Sequence, residues 1–213
     1  MKKLCVGGKM KRKSWLFVIC YLSFIVLFLW GCGSGPGSPG SSGSEDTGIR
    51  IRAVSITKDS PDIDVYASPT ACDGKAETPL TRESATMSVE SEMLNPNSTV
   101  DPYPASVEQC TITYKKAIED PSAPTIESLT IYPNCSLGGC PVTCPDICSV
   151  TLIDIDRKVA YLDAITGGQN NPAEYPTHYI AQYNCKYVNN FGKSGTFQVE
   201  YDFWLADFLT CGG

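Results

Sequence analysis

"THYIAQYNCKYVNNFGKSGTFQVEYDF", residues 177–203, is the stretch on which the fold turns. Tyr179, Ala181, Tyr183, Cys185 and Tyr187 fall on every second position, and Phe197, Val199, Tyr201 and Phe203 do the same after "VNNFGKSG". Side chains two residues apart share one face of a strand. The stretch therefore predicts two strands joined by a turn, each burying an aromatic face. "GKS" (residues 192–194) also occurs in phosphate loops, but the position five residues before Gly192 is Tyr187, where such a loop needs glycine. Strands flank it instead of a strand and a helix, so it reads as a turn.

The same alternation recurs upstream. Residues 49–56 place Ile49, Ile51 and Ala53 on one face, and residues 62–67 alternate Ile63 and Val65 with Asp62 and Asp64. Ala85, Met87, Val89 and Met93 share a face in residues 85–93, as do Cys110, Ile112 and Tyr114 in residues 110–114. Residues 126–132 and 149–155 are likewise β-branched and alternating. With Pro, Asn, Asp and Gly clusters between them, these runs predict an all-β fold, an antiparallel sandwich or barrel of about eight strands. Residues 157–165, "RKVAYLDAI", fit a short helix or a further strand.

The closing hairpin resembles the last two strands of immunoglobulin-like and fibronectin type III sandwiches. Ala181, Tyr183 and Cys185 carry the likeness as A-x-Y-x-C, and Asn189, Gly192 and Ser194 as N-x-x-G-x-S. The resemblance implies an immunoglobulin-like antiparallel sandwich in which Tyr183 forms a corner two residues before an inter-sheet cysteine. Residues 85–93 carry no cysteine, however, and Trp204 is the one tryptophan beyond residue 30.

Eleven cysteines punctuate the chain. Apart from Cys5, Cys20 and Cys32, there remain Cys72, Cys110, Cys135, Cys140, Cys144, Cys148, Cys185 and Cys211, an even set. "CSLGGCPVTCPDIC", residues 135–148, has the spacing C-x4-C-x3-C-x3-C, without the C-x2-C knuckles of zinc sites or the runs of ferredoxins. No C-x-x-C-H or C-x-x-C occurs, and His178 is the sole histidine, so covalent haem and a dithiol redox centre are not expected. Structural disulfides are. Cys110 and Cys185 both fall on inward faces and are the preferred core pair. One or two bridges are expected within residues 135–148, with Cys72 and Cys211 pairing among the remainder.

Where those thiols reside follows from the N-terminus. "MKKLCVGGKMKRKSW" carries six basic residues and no acidic one, and "WLFVICYLSFIVLFLW", residues 15–30, is apolar apart from Ser23. Such a head and run predict an export signal, starting at Met1 or Met10. "LWGC", residues 29–32, resembles the lipobox of bacterial lipoprotein precursors. That resemblance implies cleavage between Gly31 and Cys32 and acylation of Cys32, whose several acyl chains make a stable anchor. The other reading is an uncleaved signal anchor; either holds the chain at a membrane. Gly33 is not the aspartate that retains such products in the inner membrane, so the outer membrane of the cell envelope is favoured. "GSGPGSPGSSGS", residues 33–44, has only Gly, Ser and Pro, a flexible tether with a reach on the order of 20 Å. The expected organisation is a signal peptide at 1–31, anchor and tether at 32–46, and a β-sandwich domain at 47–213.

All 23 acidic residues but only 11 of the 17 basic ones lie beyond Cys32, so the mature part carries a net charge of −12. Phosphates would be repelled, which excludes nucleic acid as a partner. Asp62 with Asp64, and Asp154 with Asp156, form carboxylate pairs that a calcium ion or plain solvent would suit. Without an EF-hand pattern, solvated strand faces are expected, and neither a metal nor another cofactor. Phe203 and Leu205 facing inward send Trp204 outward, as a docking surface for protein or glycan, unless the strand is covered on both sides. The expected function is that of a non-catalytic, membrane-anchored envelope lipoprotein whose sandwich binds or supports another cell-surface component. The alternatives are a carbohydrate-binding module and a hydrolase using acidic residues on envelope polymers.

Overall fold

The computed structural model describes residues 44–65, 80–138 and 145–208. Cys32, Cys72, Cys140, Cys144 and Cys211 lie outside the described residues, as do residues 1–43, on which the expected signal peptide and most of the expected tether fall. In chain order the described elements are α1 (Ser44–Thr47), β1 (Ile49–Thr57), β2 (Asp62–Asp64), β3 (Glu83–Met93), β4 (Ala105–Lys116) and β5 (Leu129–Ile131). β6 (Cys135–Leu137), β7 (Asp146–Ile153), α2 (Ile155–Thr166), β8 (Thr177–Val188) and β9 (Ser194–Ala206) complete them.

β8 and β9 form the hairpin that alternation predicts, paired from Val188↔Ser194 to Thr177↔Leu205. The five alternating residues from Tyr179 to Tyr187 are all buried, as are Phe197 and Phe203. Asn189 shapes the turn by accepting the Phe191 and Lys193 N–H groups on its side-chain oxygen. Gly192 supplies the φ of +73° that residues with a Cβ disfavour. Gly195 is needed for space instead: Tyr187 lies opposite it, and a Cβ there would stand 2.5 Å from the tyrosine ring. Gly195→Ala should therefore lower stability by about 1–3 kcal/mol in urea titration. Ser194→Ala, at the exposed position beside it, should stay within about 0.5 kcal/mol of the parent.

The larger sheet runs β2-β9-β8-β4-β5, with β6 also paired to β4; the smaller runs β1-β3-β7. β2 lies parallel to β9, whereas the remaining pairs are antiparallel. There are thus nine described strands against the eight expected, and one parallel pairing. The additional strand, β6, spans three residues, too few to show a period. Residues 157–165 lie in a helix. Asp154 caps α2 by accepting the Arg157 N–H at 3.1 Å, while its second oxygen holds the Arg157 guanidinium at 2.6 Å. Asp154 and Asp156 accordingly occupy the cap and first turn of a helix, where negative charge is favoured, and not a strand face. In β1 the expected phase also breaks. A register shift between Ile51 and Ala53 turns Ala53 to solvent and brings Ile56 inward.

Both sheets contribute to one core, and tyrosines from the larger sheet cross it. The Tyr183 hydroxyl donates to Thr151 O at 3.0 Å, Tyr114 to Leu152 O at 2.7 Å and Tyr187 to Ile49 O at 3.3 Å. Burial pushes the Tyr114 and Tyr183 phenols well above their ordinary range, so they remain protonated donors.

Cys110 and Cys185 are bridged, as expected, at directly paired positions with Cα atoms 4.0 Å apart. This bridge lies within the larger sheet, whereas the likeness of the Tyr183 corner implies an inter-sheet cysteine. Among the described residues the bridge between sheets is Cys135–Cys148, from β6 to β7, one bridge within residues 135–148. α2 seats on β3 through Lys158, whose side chain is 2% exposed and whose ammonium lies 2.8 Å from Glu83; Lys58 approaches the other Glu83 oxygen at 3.4 Å.

Candidate functional site

Where β8 and β9 end farthest from their turn, the register sets His178 beside Trp204, with Asp62 of β2 on the other side of Trp204. Trp204 does face out, because Phe203 and Leu205 on either side are fully buried. It is half-buried rather than free, since the His178 imidazole stacks on the indole at 4.3 Å with planes 11° apart. The imidazole is held from its edge: Nε2 donates to the Asp202 carboxylate at 2.9 Å. Four residues farther along both strands, Gln182 donates to Glu200 at 2.7 Å. The imidazole and the Asp202 carboxylate thus fix the indole's one covered face, and the Gln182–Glu200 pair continues a polar surface farther along the same sheet.

A cavity of about 200 Å³ opens beside this His178–Trp204 platform, lined by His178, Lys116, Asp120, Ala123 and Glu174 among others. Its wall is a folded loop. Lys116 donates to the carbonyls of Asp120 and Ala123, and Asn170 to that of Ser122. The Ser122 hydroxyl and the Ala173 and Ser122 N–H groups all donate to the Asp120 carboxyl and hold it below its ordinary range. Each of these groups stabilises the loop, and the cavity is an annexe of the platform.

The residues singled out in the sequence are not gathered at this place. Trp204 lies on it, while the Cys110–Cys185 and Cys135–Cys148 bridges sit in the core. Asp62 is exposed beside Trp204, and Asp64 is half-buried on β2. Among the described residues no group of three or more His, Cys, Asp or Glu is placed to hold a metal ion. His178, read from the sequence as one more residue of the sheet, and Asp202 were not singled out as a pair. The signal was present: once the turn is placed at residues 189–193, position 178 must fall opposite 204. Comparison with protein-family models, with curated proteins and with solved structures returns no match.

Proposed function

We propose that the chain is a non-catalytic domain, lipid-anchored at Cys32 in the cell envelope, that presents the outer face of its larger sheet to another cell-surface component. The observation that carries this reading is the indole of Trp204, outward on a sheet and held by His178 and Asp202. A rigid aromatic surrounded by polar groups loses little entropy on contact, and such residues dominate binding energies. Strand order supports an immunoglobulin-like reading of the scaffold. β1-β3-β7 corresponds to A-B-E of that fold, and β9-β8-β4 to G-F-C.

Cross-linking in the native cell tests the proposal. A partner adduct recovered with the parent should fall with Trp204→Ala by roughly thirty-fold in affinity, the equivalent of about 2 kcal/mol. Equal recovery by the variant overturns the role of this face. A glycan is the second reading, favoured by the flat indole with the hydrogen-bonded His178–Asp202 pair beside it. Retention of the parent on envelope polysaccharide, lost in Trp204→Ala, selects it.

A further inference from the structure

The opposite end of the domain carries a different surface. There the chain emerging from the tether meets the β8–β9 turn and the β3–β4 loop, and the three are bolted together. Asn189 donates to Thr47 O at 2.8 Å, Leu94 N–H to Gly48 O at 2.9 Å and Asn190 N–H to Pro102 O at 3.1 Å. Between them lies a groove of about 410 Å³, whose lining includes Met93, Leu94, Pro102, Val100 and Phe191. Val100 and Phe191 stand at its rim, 56% and 55% exposed, on loops fixed by Asn189 and by the hydrogen bond from Val100 N–H to Ser98. The charges of the lining are one acid and one base, Asp46 and Lys193. Nearby Asp101 is occupied in accepting the Tyr103 N–H. The lining is thus balanced in charge and largely apolar, and with Asp101 and with Glu45, next in the chain to Asp46, this end carries only a small part of the mature chain's net charge of −12.

We infer that this end of the domain rests on the lipid surface, with Phe191 and Val100 dipping into the headgroup boundary. The inference rests on the Cys32 anchor of the proposed function. Residues 33–43 separate Cys32 from the first described residue, a length of Gly, Ser and Pro with a reach of about 17–20 Å. The domain is therefore delivered to the bilayer by the end that holds Asp46, Thr47 and the groove. Apolar and aromatic side chains on a fixed frame gain by burying 5–10 Å deep in that boundary, at about 25 cal/mol per Å². The His178–Trp204 platform is ten residue pairs away along the hairpin, about 34 Å at the rise of a strand. One end thus seats on lipid while the other stands off it.

The test uses the acylated mature protein in phosphatidylethanolamine–phosphatidylglycerol vesicles containing a lipid brominated near the headgroup end of its chains. Its mass must first show that Trp15 and Trp30 are gone, which leaves Trp204 as the parent's fluorophore. In the Phe191→Trp variant the added emission should be roughly halved by the brominated lipid, as expected of a shallowly buried indole. The parent's emission should hardly change. An indole at position 191 that stays unquenched overturns the inference, whether water, a second copy or another protein covers it. Strong quenching of Trp204 in the parent overturns it as well. A chain that partitions into the aqueous phase on detergent extraction loses the anchor and this inference together, whereas an anchored, unquenched chain loses only the latter.

Discussion

With Cys110 and Cys185 both changed to alanine, the domain should unfold in urea with about 4 kcal/mol less stability than the parent. The bridge closes a segment of 75 residues, and restoring that freedom to the unfolded chain is worth about 4.5 kcal/mol on chain entropy alone. Both sulfurs lie in the core beside Tyr183 and Phe197, so little solvent gain offsets their loss. Cys135–Cys148 closes only 13 residues, worth about 3 kcal/mol by the same reasoning. The order of the two effects is the sharper test. A larger loss from the Cys135/Cys148 alanine pair would mean that the bridge between sheets matters through its contacts and not through the loop it closes. Against a total near 5–15 kcal/mol, the first variant should be close to unfolding at growth temperature.

Glu83→Ala should cost about 3 kcal/mol, because it strands the Lys158 ammonium inside the domain with no carboxylate partner. Adding Lys158→Met should recover most of the loss, since the methionine replaces a buried charge with a chain of similar length. A double variant no more stable than Glu83→Ala would show that the cost came from β3 itself. The pair also sets an acid limit. Burial alone would raise the Glu83 carboxyl, but the hydrogen bond and charge of Lys158, aided by Lys58, hold it below its ordinary range. The unfolded chain therefore takes up the proton first as pH falls. The contribution is complete above the ordinary glutamate value of about 4.3 and is lost as pH drops through the lower folded value. Stability against pH should fall less steeply below that point in the double variant than in the parent. Asp120, also held low, keeps part of the slope in both.

The hairpin from β8 to β9 was legible because it is long, buried on one face and closed by Asn and Gly, so period, turn chemistry and length agree. Trp204 could be aimed from its neighbours for the same reason. Residues 157–165 were ambiguous because the residues that α2 buries are Lys158 and Tyr161, and a lysine is not read as an inward position. Its partner Glu83 is 75 residues away, a separation no local pattern spans. Ala53 was misplaced by the register shift in β1, which adds nothing to composition yet reverses the phase of every residue after it. Cys110 and Cys185 were paired correctly from their faces, but only the strand order reveals that they are neighbours in one sheet.

Hydrocarbon surfaces slide over one another at little cost, and a sandwich held by them alone has many nearly equal seatings. Here three phenols span the interface to particular carbonyls of the opposite layer, those of Thr151, Leu152 and Ile49. A displacement of one residue parts all three at once. The layers have a single alignment, and the joint between them resists shear.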